Sequence, residues 1–212
     1  SEGMALTFPT DSSDQVLALS SDSTDILSGS WKDTQFQEMA VLRLKRTPQA
    51  ENTRSEAVLI EAPIGKLDAE MILPTGEGPF PGVIFLHGSG PQPKEASRFA
   101  AVALAELGVA SVIYDKRGVG GSEGSWQEAS FVDLAEDGVS GARFLSAHNE
   151  VSTVGFFGHS QGGWIAPLAA SRWPDTSFVI SSAGPAVSPS REAHWGFVRN
   201  VRDFGGDQSD EK

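Results

Sequence analysis

Residues Gly158-His159-Ser160-Gln161-Gly162-Gly163 stand between an apolar run, Thr153–Phe157, and a helix-patterned run, Trp164–Arg172. A chain that passes from strand to helix over so few residues must turn sharply, and it carries a serine to the apex. Gly158 and Gly162 suit such a turn because a larger side chain at either place would crowd it. This is the pattern of a nucleophile elbow, a strained strand-to-helix turn that lifts a serine hydroxyl clear of a sheet. The feature constrains the fold as well, since it requires a buried strand whose end opens at a helix N-terminus.

The surrounding pattern meets that requirement. Two alternating runs, Ala57–Glu61 and Leu67–Leu73, predict strands joined by the Ala62-Pro63-Ile64-Gly65-Lys66 turn. The continuous apolar runs Gly82–Leu86 and Ala110–Tyr114 predict strands covered on both faces. Between them, Ala96–Leu107 predicts an amphipathic helix with Phe99, Val102, Ala103 and Leu107 on its apolar stripe and Gly108 at its end. Phe131, Leu134, Ala135, Ala142 and Leu145 mark a second helix, and Phe178–Ser181 a further strand. Strands alternating with helices imply an α/β fold, a mostly parallel sheet with helices on both faces, whose chemistry gathers at the carboxyl ends of the strands.

Ahead of this core, residues 1–55 divide from it in composition. The first 30 or so are rich in Ser, Asp and Thr and predict a mobile lead-in. Phe36–Arg46 alternates and predicts a strand of a small β-rich appendage that includes Trp31, followed by a polar linker. The core is expected over 56–187.

Three unusual loops leave consecutive predicted strands: His87-Gly88-Ser89-Gly90-Pro91, Asp115-Lys116-Arg117-Gly118-Val119-Gly120-Gly121-Ser122, and the turn at Ser160. Together they resemble the α/β-hydrolase family, in its serine aminopeptidase-like and dienelactone-hydrolase-like branches, over roughly Glu56–Pro189. The resemblance implies that Ser160 is a nucleophile forming an acyl-enzyme that water then cleaves. It implies further that the backbone N–H groups of Gln161 and Ser89 stabilise the oxyanion. His87 and Gly88 would belong to the oxyanion loop, with His87 bracing its backbone. Gly158, His159 and Gly162 would shape the turn, with His159 packing or hydrogen-bonding away from the serine. Asp115 and Arg117 read as a loop-fixing network.

The family's order places an acid and then a histidine downstream of the serine. Here Ser188–Phe204 reads as an amphipathic helix, taken with 188–212 as the start of a cap. It carries the one downstream histidine, His194, away from any final strand. Asp203, Asp207 and Asp210 have no better claim as the acid. The resemblance therefore places acid and base beyond Lys212, on a second polypeptide after cleavage there or on a missing part of the same one.

Composition narrows the partners. A net charge of −12 argues against nucleic acid, which needs clustered Lys and Arg. There is no cysteine, and no apolar run approaches the roughly 20 residues of a membrane span. No His, Asp or Glu cluster has metal-ligand spacing, so no metal or other cofactor is expected. The start, Ser1–Met4, lacks a signal-peptide pattern, and the compartment stays open. The sequence thus predicts a carboxylesterase-like serine hydrolase acting on a small ester or acyl substrate. An aminopeptidase-like amide hydrolase and a non-catalytic fragment that only binds remain alternatives.

Overall fold

The computed structural model describes residues 3–9, 14–23, 26–33, 38–45 and 53–205, which fall in two units divided between Glu51 and Asn52. The first unit contains four strands: β1 (Gly3–Pro9), β2 (Asp14–Ser23), β3 (Ile26–Asp33) and β4 (Glu38–Lys45). They form an antiparallel sheet in sequential order. Its register aligns Leu6 with Leu17, Leu17 with Trp31 and Trp31 with Ala40 across the strands. Three strands therefore occupy the stretch expected to be a lead-in. The period-2 signal lies in Met4, Leu6 and Phe8 and in Leu17 and Leu19. The Ser- and Asp-rich neighbours obscure it in composition, and cross-strand pairing is what gives it meaning.

The second unit is an α/β sandwich. Its strands are β5 (Thr53–Ala62), β6 (Gly65–Pro74), β7 (Phe80–Leu86), β8 (Ala110–Tyr114), β9 (Val151–His159) and β10 (Thr176–Ser182). They lie in the order β10-β9-β7-β8-β6-β5. The four strands from β10 to β8 are parallel, and β6 and β5 complete the sheet as an antiparallel hairpin. The helices are α1 (Glu95–Glu106), α2 (Phe131–Ser146), α3 (Gly162–Arg172) and α4 (Pro189–Asp203). Each predicted strand and helix of the core is present.

The continuous apolar runs divide between two covers. Val83 and Phe85 of β7 join Ile72 and Ile113 against Ala101 and Ala105 of α1. Ile84 and Leu86, with Val112, Tyr114 and Phe156, face the layer of α2 and α3 formed by Leu134, Val139, Leu145, Ile165 and Ala169. Sheet strands buried on both faces have no need of alternation. Helix α2 opens on a reciprocal cap, Ser130 N–H donating to Asp133 Oδ2 at 2.8 Å and Asp133 N–H to Ser130 Oγ at 3.2 Å.

The stripe expected on α1 is corrected. Phe99 is 88% and Leu107 79% exposed, whereas Ala101 and Ala105 are buried. The two alanines, four apart, let the helix lie close to the sheet, and a phenylalanine on that side would hold it off.

Ser111, in the middle of β8, is fully buried on the α1 side with no hydrogen-bond partner for its hydroxyl. An unpaired buried hydroxyl costs about 1–3 kcal/mol. Ser111→Ala should therefore stabilise the unit by about 1 kcal/mol. The measurement is the urea midpoint, which should rise at unchanged m-value; a lower midpoint would contradict the orphaned hydroxyl.

Candidate active site

Strands β9, β7 and β8 are adjacent and parallel, so their following loops converge on one edge of the sheet. The chain passes from β7 to β8 through α1 on one face, then returns past β7 to β9 through α2 on the other. The crevice at such a reversal is where α/β sheets bind ligands. All three loops singled out in the sequence meet there.

The turn after β9 is as sharp as its glycines suggest. Ser160 adopts φ 53°, a left-handed conformation that costs a non-glycine residue about 1–3 kcal/mol. A Cβ on Gly158 would lie 2.0 Å from the carbonyl oxygen of Gly162, and one on Gly162 would lie 2.4 Å from that of Leu86. The absence of side chains thus lets the turn close on itself and seat against the end of β7. Ser160 N–H donates to Ser182 O at the end of β10 (3.0 Å), and Ser160 O accepts from Gly163 N–H (2.8 Å). The half-buried serine is thereby fixed by backbone, which leaves its hydroxyl out of any hydrogen bond among the described residues.

Around the 87–92 loop the polar contacts are dense. His87 is buried, its Nε2–H donating to Tyr114 O at 2.7 Å, and its ring meets that of Tyr114 edge-on. This braces the loop against β8. Burial, opposed by the bond to Tyr114 O, lowers the imidazole pKa to about 4 and keeps it neutral. Gly88 N–H is taken by Gln92 Oε1 at 2.9 Å. The N–H groups of Ser89 and Gln161 make no hydrogen bond among the described residues.

Lys116 is a residue the sequence reading passed over. It is only 2% exposed, and its Nζ donates to Gly88 O (2.8 Å), Gly90 O (3.1 Å) and Gln161 Oε1 (3.2 Å). The ammonium also lies 5.7 Å from the centre of the Trp126 ring. Burial depresses its pKa below the ordinary lysine value. The available sequence signal was a charged residue immediately beyond a buried strand, where its side chain must find acceptors.

Its neighbours hold the second loop. Asp115 accepts from Lys94 N–H (2.8 Å) and Gly121 N–H (3.0 Å). Arg117 makes a two-pronged pair with Asp137 at 2.7 and 2.8 Å and also reaches Asp133 O. Both residues act as the expected loop-fixing network. His159 is exposed, and its side chain makes no hydrogen bond among the described residues. It ends β9 and lines a cleft of about 400 Å³ with Phe85, Gln92, Phe157, Ser182 and Ala100 of α1. None of the four histidines hydrogen-bonds the Ser160 hydroxyl. His194 lies on α4, among whose residues none is buried.

A family model described as serine aminopeptidase, S33, matches residues 79–203. Esterase EstD of Thermotoga maritima is 28% identical over 130 residues, covering 58% of this chain and 31% of its own. Among solved structures, an α/β serine hydrolase without lid from Xanthomonas campestris matches with TM-score 0.53 at 28% identity, over 63% of this chain and 62% of that one. Dienelactone hydrolase from Anabaena variabilis matches with TM-score 0.53 at 25% identity, over 63% and 65% of the respective chains. The chain spans about a third of EstD (31%) and less than two thirds of either structure.

The neutral burial of His87 has a sign that can be worked out. Between its ordinary value near 6.5 and the folded value of about 4, the unfolded chain binds a proton that the folded one does not. Stability therefore falls as pH drops through that window and is spared above it, by up to about 3 kcal/mol in total. Urea midpoints of the wild type and His87→Gln, measured from pH 7 to 4, should diverge, with the variant flatter. Parallel curves would show that His87 is not the group responsible.

Proposed function

The chain belongs to the serine aminopeptidase S33 family of α/β-hydrolases, and on that premise we propose that it is a serine hydrolase cleaving carboxylic esters through an acyl-enzyme on Ser160. The observation that carries this reading is the left-handed Ser160 at the apex of the turn, with its hydroxyl uncommitted. In the proposed reaction Ser160 Oγ attacks the acyl carbonyl, and the N–H groups of Ser89 and Gln161 receive the resulting oxyanion. Collapse expels the alcohol, and water attacks the acyl-enzyme in the same site. Donors held in advance are worth roughly 10²–10³ in rate apiece.

The proton must pass through a base, and none of the chain's four histidines reaches Ser160. We place the histidine and its acid on residues outside 1–212, in the same polypeptide or a companion one. Helix α4, with Trp195 and Phe197 more than half exposed, is read as part of a cap over the site.

Similarity to an esterase favours ester substrates, and the aminopeptidase description of the family favours amide cleavage as the second reading. Turnover of a p-nitrophenyl acyl ester against an aminoacyl arylamide decides between them, and the ester should be preferred. A fluorophosphonate probe should rapidly label the assembled wild-type protein, which includes the residues that supply the base, and should not label its Ser160→Ala form at all. Equal labelling of both would remove Ser160 as nucleophile, and no labelling of either would favour a protein that only binds.

A further inference from the structure

Resting on the reading of Ser89 and Gln161 as oxyanion donors, we propose that Lys116 is the positioning residue that aims both amides. A peptide unit is planar and trans, so its C=O and N–H point in opposite directions. The carbonyl of Gly88 belongs to the same peptide unit as the N–H of Ser89. Lys116 Nζ, 2.8 Å from Gly88 O, therefore fixes the plane with the Ser89 N–H directed away from the lysine. The bond to Gly90 O at 3.1 Å fixes the loop again two residues on. The bond to Gln161 Oε1 at 3.2 Å ties the same ammonium to the residue that carries the other amide. One side chain thus joins the 88–90 segment to Gln161, more than 70 positions further along the chain.

The chemistry of an ammonium suits this task. It has three protons, and three acceptors surround it, so none is left to contact substrate. Donation into the Gly88 carbonyl also polarises the peptide and strengthens Ser89 N–H as a donor. No salt bridge among the described residues includes Lys116. A buried cation without an anionic partner costs stability, and an anion forming on the other side of the peptide it grips is the natural recipient of its field. Asp137, which shares a small cavity wall with Lys116, is committed to Arg117.

The test compares the wild type, Lys116→Met and Ser160→Ala, each as the assembled protein with the residues that supply the base, in three readings: p-nitrophenyl ester kinetics, the rate of fluorophosphonate labelling, and amide ¹H–¹⁵N spectra. Lys116→Met should lower kcat and the labelling rate by roughly 10²-fold with KM within about threefold. The Ser89 and Gln161 amide signals should move while those of the α2 amides stay. Labelling of Lys116→Met at the wild-type rate, or unmoved Ser89 and Gln161 signals, overturns the proposal. Persistent labelling of Ser160→Ala instead overturns the nucleophile reading, and the role of Lys116 is then judged by the amide signals alone. If Lys116→Met does not fold, the wild-type lysine ammonium signal decides. Slow exchange supports the three-acceptor clamp, and exchange as fast as that of surface lysines overturns it.

Discussion

Ser160 holds φ at 53° because three separate pieces of backbone close around it. Gly162 O occupies the space where a Gly158 side chain would be, Leu86 O occupies that of Gly162, and Ser182 O takes the serine's own N–H. The left-handed residue is unfavourable by itself, by about 1–3 kcal/mol. It persists because β7, β9 and β10 are in parallel register and their ends cannot part without breaking the sheet. The geometry of the candidate nucleophile is therefore a property of strand pairing, and it depends on the register that pairs Ile84 with Phe156 and Phe85 with Phe157.

Polar order at the strand ends follows from the same packing. Each loop leaves a strand that is buried on both faces, so its first residues are still inside the protein and their polar groups must be paired. His87 meets this through Tyr114 O, Asp115 through backbone amides of the 94 and 121 segments, and Arg117 through Asp137. The Asp115–Gly121 bond closes its own loop, and the others tie a loop to a different segment of the chain. Removing one partner of the Arg117–Asp137 pair would leave a buried charge alone, a change that typically costs about 3–5 kcal/mol. The three loops are in effect one polar cluster sitting on an apolar sheet.

Much of this was legible in the sequence where the cause is local. Period-2 runs gave β5 and β6, continuous apolar runs gave β7 and β8, and the glycines on either side of Ser160 gave the turn. Long-range causes were not legible. Helical periodicity places Phe99 on a buried stripe of α1 but does not reveal which of two neighbouring stripes meets the sheet; the small residues Ala101 and Ala105 decide that. The strands over 3–33 were hidden by their polar neighbours, since alternation such as Met4, Leu6 and Phe8 gains weight only with a partner strand in register. Lys116 was invisible as a contact because its three acceptors lie 26, 28 and 45 residues away in the chain.

The net charge of −12 and the character of the site point in opposite directions, and the distance over which charge acts reconciles them. Exposed carboxylates are screened by water and salt within about 10 Å, so they govern solubility and approach. Within the loop cluster the dielectric is low and each charge counts singly. There Asp137 is neutralised by Arg117, His87 is kept uncharged by burial, and Asp115 is surrounded by Lys94 and amide donors. Lys116 is left as a cation served only by neutral acceptors. An acidic protein thus keeps a locally positive point behind the Gly88–Ser89 peptide, and that sign suits the proposed reaction, in which negative charge develops on an acyl oxygen.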